Sequence, residues 1–153
     1  AGVVANGRDH LDTPVVGEHM APGCRSRELF KAGLDGQARA VSHVKVVVDR
    51  LAQKTDGKQM AQALMLSEDA EFDSKPELEI YADDVACGHG STSARIDPEH
   101  VFYLRSRGIP QADAEALLTE AFIAEVFDVI DDEAIRDVVV QLARDWLAAN
   151  ASQ

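Results

Sequence analysis

The sequence changes character near Asp97, and that change limits the folds open to it. Before Asp97, short apolar runs are broken by Gly, Asp and Pro. Residues 44–48 (VKVVV) are β-branched apart from one lysine. Glu77-Leu78-Glu79-Ile80-Tyr81 alternates polar and apolar side chains with the period of two that a half-buried strand requires. Turn signals separate the runs: Asn6-Gly7, Asp35-Gly36 and Asp56-Gly57. The last two lie 21 residues apart and each opens a new run, which predicts a β-solenoid with coils of about 20 residues. One stretch conflicts with this reading, because residues 59–66 (QMAQALML) are helix formers by propensity.

After Asp97 the pattern is helical. Asp97 is a good N-cap, and Pro98 suits the first helical position because its missing N–H is not needed there. Val101, Leu104 and Arg105 continue this helix, and Gly108 can end it, with Pro110 beyond. A second helix is expected over residues 112–130, with Leu118, Phe122, Val126 and Val129 on its core face. Asp131-Asp132 starts a third, whose apolar stripe is Ile135, Val138, Val139, Leu142, Trp146 and Leu147. Residues 150–153 are expected to fray. The chain therefore reads as mainly β with a helical C-terminus: a β-rich portion over residues 1–96, then three helices over residues 97–153. It opens inside a Val-rich run with no start signal, as a piece cut from a longer protein would.

Composition narrows the function. The hydrophobic fraction of 46% supports a buried core, and with only 5% aromatics that core must lean on Val, Leu, Ile and Ala. A net charge of -12 argues against nucleic acid, whose binding needs a basic face. The acidity is uneven: residues 97–153 carry 12 acids and 4 bases, a balance of -8. That is either a solvated helical surface or one that meets a basic partner. Cys24 and Cys87 are too few for a disulfide framework and lack metal-finger spacing. No apolar run approaches the ~18 residues that would span a membrane. No secretory leader opens the sequence, so a reducing cytoplasm with free thiols is expected.

The strongest chemical motif is Asp83-Asp84-Val85-Ala86-Cys87-Gly88-His89-Gly90. On an extended strand, Cys87 and His89 share a face about 7 Å apart. The glycines beside His89 remove bulk and let a partner or cluster approach. Thiolate and imidazole suit iron and zinc, but two ligands do not close a site, so any metal needs others from elsewhere. The plain structural alternative is a buried cysteine and a surface histidine on a glycine-rich turn. A nucleophilic Cys–His pair is disfavoured, because alternate positions on one strand seldom put a base within reach. His19 and Cys24 flank Pro22-Gly23; metal ligation is possible at that spacing, but the stretch reads first as a turn. Asp73, Asp83 and Asp84 read as turn aspartates, with carbohydrate cleavage or Ca²⁺ binding as the rival role. No phosphate-binding glycine loop is present in the sequence.

Three segments resemble the SufB/SufD family of iron–sulfur cluster assembly scaffold proteins, in particular the C-terminal portion of its SufD-type members. They are Gln53-Lys54-Thr55-Asp56-Gly57-Lys58-Gln59 with Ala63-Leu64-Met65-Leu66-Ser67; the run from Asp73-Ser74-Lys75-Pro76 through Tyr81 to Gly90; and Phe102-Tyr103-Leu104-Arg105-Ser106-Arg107-Gly108-Ile109. The resemblance implies a flattened right-handed parallel β-helix, and it makes residues 59–66 strand rather than helix. It implies pairing with a SufB-like subunit through the β-helix and docking of a SufC-type ATPase on the C-terminal helices. Together with the acidic skew, it marks Asp131, Asp132 and Glu133 as the candidate ATPase contact. It also implies that Cys87 and His89 lie near the SufB interface. The resemblance further implies that the histidine acts in cluster assembly, with a transient iron–sulfur cluster or iron expected in the complex and none expected to be held stably by the isolated chain. Two other functions stay open at this point: a homo-oligomeric β-helix interaction module without its own metal, a homodimer being one form, and a β-helix carbohydrate-active enzyme.

Overall fold

The computed structural model describes residues 1–150, and of Asn150 only the backbone; most of the tail expected to fray lies outside the described residues. Seven strands come first: β1 (Gly2–Ala5), β2 (His10–His19), β3 (Arg25–Leu34), β4 (Arg39–Val48), β5 (Asp56–Met65), β6 (Glu71–Ile80) and β7 (Ala86–Ala94). They alternate between two parallel sheets, β1-β3-β5-β7 and β2-β4-β6, and so wind a solenoid of about three turns. Three helices follow: α1 (Pro98–Ser106), α2 (Gln111–Ala124) and α3 (Glu133–Asn150).

The coils are longer than the turn spacing predicts. His10 lies opposite Arg39, and Arg39 opposite Glu71, so successive coils are 29 and 32 residues apart. Each coil carries two ten-residue strands, not one. Asp35-Gly36 is a turn, with Gly36 at φ +63°, but Asp56-Gly57 is the start of β5. The matching turn is Asn6-Gly7, one coil earlier, with Gly7 at φ +61°. The two turns stack so closely that a Cβ on Gly36 would lie 3.0 Å from the Gly7 amide nitrogen. Residues 59–66 are strand up to Met65, as the family resemblance implies and against their propensity.

Side chains alternate inward and outward along each strand. In β4, Ala40, Ser42, Val44, Val46 and Val48 are all buried. The interior is not uniform. One apolar cluster holds Phe30, Ala32, Leu34, Ala40, Ala61 and Ala63, with Phe30 stacked on Phe72 at 6.1 Å between ring centroids. A second holds Val46, Val48, Ala52 and Ala82. Outside, ion pairs run between neighbouring coils, Arg39 with Asp73 and Lys45 with Glu79, and His43 hydrogen-bonds Glu77 at 3.2 Å. The hydrogen bond that Lys45 donates to Glu79 raises the Lys45 ammonium pKa, and the one that Lys75 donates to Glu77 holds that carboxyl below its usual range.

The helices dock on the outer face of the first sheet. Asp97 caps α1 by accepting from the Glu99 amide at 2.8 Å, and Gly108, at φ +88°, follows its end. Helix α2 stops at Ala124, short of the expected 130, and continues only as a 3₁₀ turn, Glu125–Phe127. Its buried positions are Ala114, Thr119 and Ile123, with Val126 in the 3₁₀ turn; Leu118 and Phe122 are half-buried, and Val129 is 76% exposed. The core face is thus rotated from the predicted one, because Ile123 must meet the bare backbone at Gly33. In α3, Ile135, Val138 and Leu142 are 56%, 61% and 63% exposed, so half of the expected core stripe faces outward. Arg144 ties α3 to Glu120 of α2 at 2.6 Å.

Lys31 fastens the helices to the solenoid. Its side chain is 2% exposed, its Nζ donates to Glu125, and it sits 4.2 Å from the Phe122 ring centroid. Glu125 is 59% exposed, so the two ends of this pair are unequal. Removing the carboxylate strands a buried ammonium, whereas removing the lysine frees a wet carboxylate. Glu125→Ala is expected to destabilise by about 2–3 kcal/mol, and Lys31→Met by no more than about 1 kcal/mol. Urea unfolding of both variants checks the order.

Candidate functional site

The position of Cys87 and His89 follows from strand register. In β7, Cys87 pairs with Gly57 and His89 with Gln59, both buried inward positions of β5. One coil further in, the same ladders reach Ser26 and Glu28 of β3. Cys87 and His89 therefore share the inner face of the last strand, as alternation predicts. The second sheet ends at β6, so β7 has no strand opposite it in a further coil. Cys87 is half-buried and packs against the Val46/Val48/Ala52/Ala82 cluster. His89 is exposed and makes no hydrogen bond or ion pair with the described residues.

The glycines of the motif do something other than expected. Gly88 and Gly90 lie on the opposite, outer face. A Cβ on Gly90 would come within 3.0 Å of the Met60 methyl carbon, and one on Gly88 within 3.9 Å of Lys58 Nζ. They keep the outer face shallow and do not open the Cys87–His89 face. The opening comes from the missing strand beyond β6.

The glycine that matters to Cys87 is Gly57. A Cβ there would be 3.4 Å from both Cys87 Sγ and Ser26 Oγ, and 3.8 Å from His19 Nε2. His19 is 7% exposed and bonds Ser26 Oγ through Nε2 at 3.0 Å. So a thiol, a hydroxyl and an imidazole surround one small space. The sequence reads His19 and Cys24 first as flanking a turn, with metal ligation as the alternative; in the structure His19 bonds Ser26. The signal was the offset of about 30 residues that aligns positions 26, 57 and 87.

The other candidates separate. Gly23, at φ +73°, makes the predicted turn before Cys24, which is a free, half-buried cysteine. Asp73 and Asp84 belong to different ion pairs, with Arg39 and Lys54, and Asp83 is exposed. No carboxylate pair for carbohydrate chemistry is formed by these three. Among the described residues, no group of three or more His, Cys, Asp or Glu side chains could hold a metal ion. Asp131, Asp132 and Glu133 are all exposed. Asp132 caps α3, accepting from the Ala134 and Ile135 amides at 2.9 and 3.2 Å, and Glu133 lies 3.6 Å from Arg136. No helix of the described residues is long and apolar enough to cross a membrane.

Comparison with known proteins assigns the family. Residues 1–122 match the SUF system FeS cluster assembly, SufBD core domain. The chain belongs to the SufBD family. It is 45% identical over 129 residues to the iron–sulfur cluster assembly protein SufD of Escherichia coli, covering 84% of this chain and 30% of that protein. A SufBD family protein of Synechocystis is 41% identical over 124 residues, covering 81% of this chain and 27% of the relative. SufD of Bacillus subtilis is 38% identical over 95 residues, 62% of this chain and 22% of its own length. The chain thus spans under a third of the length of these curated relatives. The family match stops inside α2, so α3 lies beyond it.

The space at Gly57 gives a direct test of this SufBD packing. Gly57→Ala puts a methyl in ordinary contact with Cys87 Sγ and Ser26 Oγ, and is expected to change stability by less than about 1 kcal/mol. Gly57→Leu overfills the space and is expected to lose about 2–3 kcal/mol while raising the alkylation rate of Cys87. Thermal unfolding and timed thiol labelling measure both.

Proposed function

We propose that this SufBD chain is a non-catalytic scaffold on which iron–sulfur clusters are assembled as cargo. In this reading it pairs with a SufB-like subunit through the solenoid and docks a SufC-type ATPase through the helices. The observation that carries the reading is the pairing of Cys87 and His89 on the uncovered inner face of β7. A scaffold must bind iron and release it, and an incomplete ligand set at a subunit boundary does both. The outer edge of β7 also leaves backbone groups free to pair with a strand of another chain. Self-pairing through this edge is the rival occupant. Free Cys24 and Cys87 suit a reducing cytoplasm.

His89→Ala is expected to lower cluster yield in a strain that relies on this pathway, while folding and complex assembly stay intact. Cys87→Ser is expected to have the smaller effect. Normal yield in His89→Ala refutes the ligand role, and a yield lost only together with assembly makes the residue structural.

For the ATPase, the exposed stripe Ile135, Val138 and Leu142 supplies an apolar face beside the acidic Asp131 and Glu133. Asp132 is left alone in the test because it caps α3. Asp131→Lys with Glu133→Lys is expected to weaken ATPase binding and flatten its salt dependence. Leu142→Asp is expected to weaken it at every salt concentration. Pull-down at low and high salt reads both, and unchanged capture of the ATPase by all variants removes this surface from the proposal.

A further inference from the structure

On the outer face of the first sheet, Arg25, Arg27 and Lys58 surround one carboxylate, Asp56. Arg25 and Asp56 share a ladder that runs on to Ala86 of β7, and Arg27 and Lys58 share the ladder that runs on to Gly88. Arg27 bonds Asp56 at 2.6 Å, whereas Lys58 stands 4.0 Å away. One carboxylate among three cations leaves Lys58 loosely held and half-exposed. Its ammonium reaches along the ladder toward the open edge, because a Cβ on Gly88 would lie 3.9 Å from Lys58 Nζ.

Gly88 has no reason inside the chain to be glycine. At Gly90 the reason is plain: Met60 covers it, with a methyl carbon 3.0 Å from where a Cβ would be. At Gly88, among the described residues, only the Lys58 ammonium comes within 4 Å, and that is the far end of a flexible side chain. A glycine inside a strand weakens it and often marks a close approach by another group. Strand β7 is the last of the first sheet, so a strand added there brings its side chains to the next ladder position, about 4.8 Å beyond Gly88.

We propose that the chain pairing with β7 presents an acidic side chain beside Gly88, where Lys58 receives it across the bare glycine. This deepens the pairing part of the scaffold reading and rests on it. Opposite charges on neighbouring strands stabilise a sheet and like charges oppose it, so the patch selects an edge strand with Asp or Glu at that position. It also decides between partners. Strand β7 holds no Asp or Glu, so a second copy pairing through the same edge brings no carboxylate to Lys58. The partner recognised here is a different chain.

The test mixes the purified chain with the SufB-like subunit and joins touching amines and carboxylates with a carbodiimide, a zero-length cross-linker. Mass spectrometry is expected to find Lys58 joined to an Asp or Glu of the other chain. Lys58→Glu should raise the Kd by about tenfold or more at low salt, and by less at high salt. Gly88→Val should raise it by about tenfold, because the added side chain fills the approach, while its Tm stays level or rises. Lys58 cross-linked only within its own chain, or equal binding by wild type, Lys58→Glu and Gly88→Val, overturns the acidic recognition and leaves the pairing at β7 standing. A lower Tm in Gly88→Val makes the glycine structural and overturns its part. A homodimer that Lys58→Glu dissociates overturns the choice of a different chain. Absence of any complex with the wild type sinks the pairing itself, so the two ideas fail separately.

Discussion

Backbone hydrogen bonding between successive coils is the constraint from which the rest follows. Strands of a parallel solenoid have no hairpin partner, so each must satisfy its amides and carbonyls on the coil before and the coil after. Here that pairing runs unbroken over ten residues between β2, β4 and β6, and between β3 and β5. A slip of one residue would turn every inward side chain outward. The cost of such a slip is large in this chain, because Ala32, Leu34, Val46 and Val48 are fully buried. The register therefore fixes the chemistry as well as the core. Cys87 and His89 face inward because Gly57 and Gln59 do, and those because Ser26 and Glu28 do.

Much of this was legible in the residues, and the errors have physical causes. The strand portion, its end near Arg95 and the Asp97–Pro98 helix start follow from alternation and capping. The coil length did not, although the evidence was present: Asn6-Gly7 and Asp35-Gly36 are 29 residues apart and stack. Asp-Gly at 56–57 imitates that signal, but Gly57 is glycine because Cys87, Ser26 and His19 crowd the position, not because the chain turns there. Residues 59–66 imitate a helix for a similar reason. Ala61 and Ala63 are small because Phe30 and Phe72 already fill the thin interior. Propensity counts the alanines; packing explains them.

The helices show what periodicity leaves out. An apolar stripe states that one face avoids water, not what covers it. In α2 the stripe meets the solenoid at Gly2 and Gly33, where Ile123 and Val126 rest on backbone without side chains. In α3 only part of the stripe finds cover, and Ile135, Val138 and Leu142 remain outside beside Asp131 and Glu133. Apolar side chains rimmed by charge are the anatomy of an interface.

Inward polar side chains and the helical clamp pull on the same sheet from its two faces. Lys31 lies on β3 with its side chain outward, three residues from Glu28, whose side chain turns inward. A buried ammonium on one face is satisfied by Glu125 and Phe122; a buried carboxylate oxygen on the other has no protein partner. An unpaired buried acceptor costs about 1–3 kcal/mol unless water reaches it, and the cavity of about 200 Å³ beside Glu28, Ser42 and Gln59 has room for water. Glu28 and Gln59 lie on the ladder of the first sheet that leads to His89, whereas Ser42 lies on the second sheet beside Ser74.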